Sequence, residues 1–232
     1  MKRLLWLLVF LSWCSNAAIE IVSEEWPPYS YLNEKNEPSG LITERLINQL
    51  RQHQIAYNIR FLPWARAYHT ARSEKNTLIF PISKNTERLP YFHWICPVYD
   101  YISVQAFSKK KRGFSNYTLT QLRQRDVRIG VMRGDNSYKH LLELGFKHEN
   151  LDVSANEISN IHKLAANRVD VIFQSKESFD YRMKNLDYSR SDYVAGVILH
   201  EFNELTMCAA LSIDSDKKVI ETMTRVLTLP EK

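Results

Sequence analysis

The chain has 232 residues, of which 25% are charged and 44% are hydrophobic, and its formal net charge is +5 at neutral pH. This length suits one large domain or two small ones. The longest basic run is "KKKR" at 109–112, which is typical of a solvated loop, so we expect no nucleic-acid partner.

The N-terminus has the pattern of an export signal. Lys2 and Arg3 precede the apolar run "LLWLLVFLSW", and small residues follow it up to Ala17. The run is too short for a bilayer, which takes about 20 apolar residues. A lipoprotein needs a small residue before Cys14, where this chain has Trp13. We therefore predict that residues 1–17 are a cleaved signal peptide and that the mature protein is periplasmic but not a lipoprotein.

Two cysteines, Cys96 and Cys208, remain after removal of the signal. They could pair in an oxidising compartment, but their separation in space cannot be judged from the sequence, so both outcomes stay open. No group of Cys and His residues has the spacing of metal ligands, and we expect no metal or other cofactor. Loss of Lys2 and Arg3 lowers the formal charge from +5 to +3.

Apolar residues recur with spacings that predict strands alternating with helices. The predicted strands are at 19–23, 57–62, 77–83, 127–132, 151–155, 169–174 and 205–212. The predicted helices are at 41–54, from Trp64, at 137–145, at 157–167, from Lys176 and at 215–228. Such alternation favours parallel sheets with covered faces, and its restart near residue 127 predicts two small α/β lobes. The last strand and helix could complete either lobe.

The segment "EEWPPYSY" at 24–31 follows the first predicted strand directly. Two consecutive prolines fix the backbone and remove two donors, so the strand ends at Trp26. The segment therefore presents its aromatic side chains on stiff, extended backbone.

Six motifs in chain order resemble those of extracellular solute-binding proteins of family 3, the polar-amino-acid type of periplasmic binding protein. They are "EEWPPYSY", "PSGLITERLINQL", "PWARAYHTA", "FPISKNTERLPYFHW", "VRIGVMRGDNSY" and "NRVDVIFQSKESF", and the resemblance covers essentially the whole mature chain.

The resemblance implies an α/β, two-lobed periplasmic-binding-protein-like (type II) fold. Two small mixed sheets with helices on both faces would enclose a ligand cleft at the carboxyl ends of their strands. Lobe 1 would comprise 18–99 and 199–232, the hinge 100–103, and lobe 2 104–198. The strand at 205–212 would then join the sheet of the first strand, and a disulfide between the two cysteines would leave closure free.

The resemblance also implies ligand-binding residues in lobe 1. Trp26 and Trp64 would form facing aromatic walls, although both tryptophans could instead fill the core. Arg88 matches the family's carboxylate-binding position, and the planar fork of an arginine suits a carboxylate. Ser83 would supply a nearby donor. Alternatively, Arg88 forms a surface salt bridge with Glu87 or Asp100.

In lobe 2, the resemblance assigns ligand contacts to Gly134, Asp135, Asn136 and Ser137. The start of the following helix would offer backbone N–H groups to an anion, and Asn136 or Ser137 could also be a plain N-cap.

At one matching position the chain departs from the family. Amino-acid binders have an aspartate that pairs with the ligand's α-ammonium, and this chain has Ser175 there. A hydroxyl cannot replace that carboxylate. Either Asp135 or Glu177 supplies the charge, or the ligand is an acid without an amino group. Arg66 and Arg133 would add to the positive field of the cleft if they face it, and such a field would suit an acid.

Three classes of function follow from the resemblance. The first is a binding protein, not an enzyme, that closes on a small carboxylated solute and delivers it to an inner-membrane ABC permease or receptor; we expect it to be a monomer. The second is a cyclohexadienyl-dehydratase-like enzyme acting on a prephenate-type acid, with His69, Glu25, Asp135 and Glu177 as candidate acids or bases. The third is a sensory or scaffold protein that takes no part in transport.

Overall fold

The computed structural model describes residues 18–99, 102–199 and 206–228, so the predicted signal peptide lies outside the described residues. The strands are β1 Ile19–Ser23, β2 Tyr31–Leu32, β3 Pro38–Ser39, β4 Tyr57–Phe61, β5 Thr77–Ile82, β6 Phe92–Tyr99, β7 Val104–Lys109, β8 Ile129–Met132, β9 Leu151–Ser154, β10 Val171–Ser175, β11 Tyr193–Ile198 and β12 Met207–Ser212. The α-helices are α1 Leu41–Gln52, α2 Trp64–Ser73, α3 Leu119–Gln124, α4 Asn136–Glu143, α5 Glu157–Ala165, α6 Lys176–Asn185 and α7 Lys217–Leu227. Short 3₁₀ turns lie at Leu89–Tyr91, Lys110–Arg112, His148–Asn150 and Arg190–Asp192. Within these ranges no helix is long and apolar enough to cross a membrane.

The strands form two five-stranded sheets, one in each lobe, and a small ribbon of β2 and β3. The first sheet has the order β4-β1-β5-β12-β6, and the second has the order β11-β7-β10-β8-β9. The predicted two-lobed architecture with mixed sheets is confirmed. The strand predicted at 205–212 is β12 and lies in the sheet of β1, also as predicted. The residue boundaries proposed for the lobes and hinge stay a prediction.

Each sheet contains one strand that runs antiparallel to the others, as the mixed sheets implied by the resemblance require, whereas the alternation of strands and helices alone favoured parallel sheets. In the first sheet β12 is antiparallel to β5 and β6, and in the second β7 is antiparallel to β10 and β11. Both are the first strand after the chain passes from one sheet to the other. A strand that begins at the cleft runs in the opposite direction to the strands that end at the cleft. Each antiparallel strand is therefore the one with which the chain enters a sheet after crossing between the lobes.

Both faces of the first sheet are covered by apolar side chains. Ile21 and Val22 are adjacent in β1 and fully buried, yet they belong to separate apolar clusters. Successive side chains of a strand point to opposite faces, so both faces of β1 are in the core. Such a strand reads as a continuous apolar run, as "IEIVS" largely does.

A disulfide between Cys96 and Cys208 answers the question that the sequence left open. The two residues lie in neighbouring strands, β6 and β12, with their Cα atoms 4.6 Å apart. Both strands belong to the first sheet. The bond therefore ties together two segments of one lobe and does not connect the lobes.

We expect removal of this disulfide to destabilise the protein. The bond closes a long loop, since the cysteines are 112 residues apart. The double variant Cys96→Ala/Cys208→Ala should lose about 2–5 kcal/mol of unfolding free energy, measured by urea denaturation. Reduced wild-type protein is the control and should unfold at the same urea concentration as the variant. Equal midpoints for the variant and the oxidised wild type would contradict the expectation.

Candidate functional site

A cavity lies between the two lobes, where strands of both sheets end. Its volume of about 100 Å³ is several times the roughly 10–15 Å³ that a cavity needs to hold one water molecule. Eight of the nine residues predicted for the site line it: Trp26, Trp64, Ser83, Arg88, Asp135, Asn136, Ser137 and Ser175. The ninth, Gly134, contacts two of them through its carbonyl oxygen. The structure thus brings the predicted residues together, and their role in binding stays a prediction.

Trp26 is held by a tight turn at the end of β1. Its backbone N–H donates to the Ser30 carbonyl at 2.6 Å, and the Trp26 carbonyl accepts from Tyr29 and Ser30. The Trp26 and Tyr29 rings lie 4.7 Å apart. Gly40, with φ of +115°, packs so closely that a Cβ there would lie 2.5 Å from the Tyr29 carbonyl oxygen. The aromatic wall therefore stands on backbone fixed from both sides, as the paired prolines predict.

Trp64 is the first residue of α2 and combines the two roles that the sequence left open. Its side chain is buried in an apolar cluster of lobe 1 and also lines the cavity. The indole Nε1 donates to the Gly134 carbonyl oxygen at 2.8 Å. Trp64 is therefore both a core residue and a contact between the lobes.

Arg88 is 5% exposed and points into the space between the lobes. Its Nη1 donates to the Ser83 carbonyl and its Nη2 to the Gly134 carbonyl, both at 3.1 Å. Asn85 fixes the turn, since its Oδ1 accepts from the Arg88 backbone N–H at 2.7 Å. Burial lowers the pKa of Arg88 from its ordinary value, and nearby Asp135 opposes that shift.

The surface salt bridge considered between Arg88 and Glu87 is not formed. Glu87 pairs instead with Lys139, 3.2 Å away on the other lobe. Asp100 lies outside the described residues. Arg66 and Arg133 are both exposed and are not among the cavity residues, so the structure does not place either beside the enclosed space.

The start of α4 is capped by the side chain of the residue before it. Asp135 is the N-cap, and its carboxylate accepts from the backbone N–H groups of Asn136 at 2.7 Å and Ser137 at 3.4 Å. The Ser137 hydroxyl also donates to it, at 2.5 Å. This corrects the N-cap expected at Asn136 or Ser137. The N–H groups that we expected to attract an anion are already bonded to a carboxylate.

Further hydrogen bonds join the lobes around the cavity. Asn136 Nδ2 donates to Ser83 Oγ, and Asn85 Nδ2 donates to Asn136 Oδ1, each at 2.6 Å. At the opposite rim, Arg182 donates to the Glu25 carbonyl at 2.9 Å. The lobes are therefore in a closed arrangement, with contacts on both sides of the cavity.

Ser175 has a structural role at the position where the family has an aspartate. It is fully buried as the N-cap of α6, and its hydroxyl accepts from the Ser178 N–H at 3.2 Å. Glu177, considered as a substitute for the missing charge, is exposed and accepts a hydrogen bond from Tyr29 at 3.0 Å. Of the two substitutes considered, only Asp135 lines the cavity.

Two cavity carboxylates were not found by sequence reasoning. Glu24 directly follows β1, and Glu157 is the first residue of α5. Burial raises the pKa of Glu24 well above 4.5, and the nearby Glu157 and Asp135 raise it further. Burial also raises the pKa of Glu157, whereas Arg182, 3.6 Å away, lowers it.

The candidate catalytic residues do not gather in the cavity. His69 and Glu25 are exposed and are not among its lining residues. Asp135 lines it but is engaged as the N-cap of α4. Among the described residues, no group of three His, Cys, Asp or Glu side chains is arranged to hold a metal ion.

Comparison with known proteins shows the fold. No family model and no curated protein matches the chain. A histidine kinase sensor domain with similarity to periplasmic binding proteins superposes with a TM-score of 0.79 at 15% identity, over 91% of this chain and 89% of that one. An ancestral arginine-binding protein bound to arginine gives 0.77 at 14%, covering 90% of each chain. A Salmonella typhimurium periplasmic binding protein with high arginine specificity gives 0.73 at 15%, over 90% and 91%. The fold is thus that of periplasmic binding proteins.

The crowding of carboxylates predicts a pH-dependent effect of Glu24→Gln. Because the folded-state pKa of Glu24 is raised, its stabilising contribution is complete below about pH 4.5 and is lost as pH rises through the raised value. The variant should match wild type in unfolding free energy near pH 4 and exceed it increasingly above pH 4.5. Urea denaturation across pH 4–8 measures this, with the exposed Glu149→Gln as the matched control. A constant difference between wild type and Glu24→Gln across that range would refute the assignment.

The N-cap at Ser175 predicts a loss of stability in Ser175→Ala. Removal of the capping oxygen leaves the Ser178 N–H without its acceptor, which should cost about 0.5–2 kcal/mol of unfolding free energy. Ser175→Thr keeps the hydroxyl and should lose less. If the two variants unfold at the same denaturant concentration, the cap is not what Ser175 contributes.

Proposed function

We propose that this protein is a periplasmic solute-binding protein that closes on a small carboxylated solute and presents it for transport or sensing. The observation that carries the proposal is the buried Arg88 between the lobes. Its hydrogen bonds to the carbonyls of Ser83 and Gly134 use two of its five N–H donors, leaving capacity for a carboxylate. The family resemblance supports the proposal, since Arg88 occupies the carboxylate position of that family.

The size and shape of the cavity support a small ligand. The closed space has a volume of about 100 Å³, which suits a small ligand such as an amino acid or a short organic acid. Trp26 and Trp64 supply apolar walls and Ser83 a hydroxyl. A mostly apolar pocket with a few fixed polar groups is the usual form of a small-molecule site.

Transport and sensing would differ in the partner that recognises the closed form. An inner-membrane ABC permease would take up the solute, whereas a receptor would respond to closure without uptake. The similar fold of a histidine kinase sensor domain supports keeping the second role. Export of the chain by residues 1–17 would place it in the periplasm, where either partner could reach it.

A second candidate function is a dehydratase-like enzyme, and Glu24 is the observation that favours it. An acid with a raised pKa that lines the same cavity as the arginine proposed to bind a carboxylate meets two needs of a general acid. Turnover of prephenate or arogenate by the purified protein, abolished in Glu24→Gln, would establish the enzyme. Tight binding of a solute without turnover would support the binding protein.

The proposal is tested by a thermal-shift screen with amino acids, dicarboxylates and aromatic acids, followed by Arg88 variants. A ligand at 100 times its Kd stabilises the folded protein by about 2.7 kcal/mol, which shifts the melting temperature measurably. Arg88→Ala should abolish that shift, and Arg88→Lys should reduce it because an ammonium lacks the planar fork. The control is Arg66→Ala, an exposed arginine of the same lobe. Full binding by Arg88→Ala would move the carboxylate site elsewhere and refute the assignment.

A further inference from the structure

The cavity carries more negative than positive charge. Glu24 from lobe 1 and Asp135 and Glu157 from lobe 2 line it. Against these stand Arg88, whose side chain bonds to two carbonyl oxygens, and Arg182, beside Glu157. With all five groups ionised, the site has one negative charge in excess. A ligand that brought only a carboxylate would add to that excess.

The lobe-2 wall also contains buried hydrogen-bond acceptors without donors. Gln174 is 6% exposed and lines the cavity, and both the oxygen and the nitrogen of its amide lack a hydrogen-bond partner. Asn160, 8% exposed, is likewise without a partner at its amide oxygen, and it lines an adjoining space together with Glu157 and Gln174. Buried polar groups are normally hydrogen-bonded, so unpaired acceptors beside carboxylates call for a ligand with N–H donors.

We propose that Glu24 and Glu157, from opposite lobes, together hold one cationic, hydrogen-bond-donating group of the ligand, an ammonium or a guanidinium. The inference rests on the proposed function and adds the chemical class of the second ligand group. Gln174, close to Glu157, supplies a neutral acceptor on the same wall. Ser175, capping α6, takes no part in holding the cation.

The electrostatics of Glu24 supply an independent signature of such binding. Its pKa is raised by burial and by Glu157 and Asp135, and is lowered by Arg88 and Arg182. A cation placed between Glu24 and Glu157 favours the ionised form and lowers that pKa. At any pH at which Glu24 is protonated in the free protein, binding of the cation therefore releases a proton from Glu24 to the buffer.

The experiment uses matched pairs of probes that differ in one cationic group. L-Glutamate and glutarate, and L-aspartate and succinate, differ by an α-ammonium. L-Arginine and L-citrulline differ by the charge of the side chain. The full protein and its Glu24→Gln and Glu157→Gln variants are titrated with these six probes by calorimetry in two buffers of different ionisation enthalpy. Glu149→Gln, an exposed lobe-2 variant, is the control for loss of one negative charge.

The expected result is that the cationic member of at least one pair binds at least about tenfold more tightly than its partner. Its affinity should fall at least about tenfold in Glu24→Gln and Glu157→Gln but not in Glu149→Gln, and only Glu24→Gln should abolish the proton release. Glutarate or succinate binding as tightly as its amino counterpart, or unchanged affinity in both cavity variants, overturns the inference. If that glutarate or succinate binding is lost in Arg88→Ala, the proposed function survives alone. If no probe binds, both are overturned.

Discussion

The carbonyl oxygen of Gly134 is the acceptor on which the closed arrangement depends. Trp64 and Arg88, from separate elements of lobe 1, both donate to it across the cavity. Gly134 has φ of +74°, in the left-handed region where glycine is strained least. Without that conformation the turn before α4 would not direct its carbonyl towards lobe 1. One backbone carbonyl therefore accepts two of the hydrogen bonds that join the lobes, and one of them helps to position the guanidinium of Arg88.

Lobe 1 supplies a rigid wall for this contact. A chain of buried hydroxyls runs from Ser23 through Ser30 to Thr43, at 2.7 and 2.9 Å, and ties the end of β1 to α1. The first N–H groups of α1 donate to the carbonyls of Pro28 and Tyr29. The same hydrogen bonds therefore satisfy the first N–H groups of α1 and fix the turn that follows β1. On the proposed function, Trp26 would need little ordering when a ligand arrives, and low ordering cost favours affinity.

The sequence predicted the architecture because local patterns report it directly. Alternating apolar runs marked most strands and helices, and the ordered motifs identified two lobes and the place of β12. Mixed sheets were predicted from the resemblance, but the identity of the antiparallel strands, β7 and β12, was not, because it depends on where the chain crosses the cleft and leaves no local pattern. The tests of disulfide removal and of Ser175→Ala address features of the same kind, since pairing of Cys96 with Cys208 and the burial of Ser175 are set by tertiary structure.

The site was predicted unevenly for the same reason. The motifs predicted Arg88 and Trp26 to lie in the cleft. Glu157 and Gln174, in contrast, are polar residues in ordinary helix and strand positions. Nothing local distinguishes them from solvent-exposed residues. Asn85 carried a readable signal, since an Asn three residues before Arg88 is typical of a side-chain-capped turn. The departure at Ser175 was noticed, yet its meaning depended on carboxylates at other positions.

The carboxylates around the cavity make the stability of the closed form depend on what is bound between the lobes. Glu24 belongs to lobe 1, whereas Asp135 and Glu157 belong to lobe 2, so like charges meet only when the lobes are together. Closing without a cation requires either repulsion or protonation of Glu24, and each lowers the stability of the closed form at neutral pH. A ligand that brings a carboxylate to Arg88 and a cation to Glu24 and Glu157 removes that penalty. An acid with no cation bonds only to Arg88 and leaves the penalty in place. On the proposed function, discrimination would therefore come as much from the repulsion built between the lobes as from the attraction offered to the ligand.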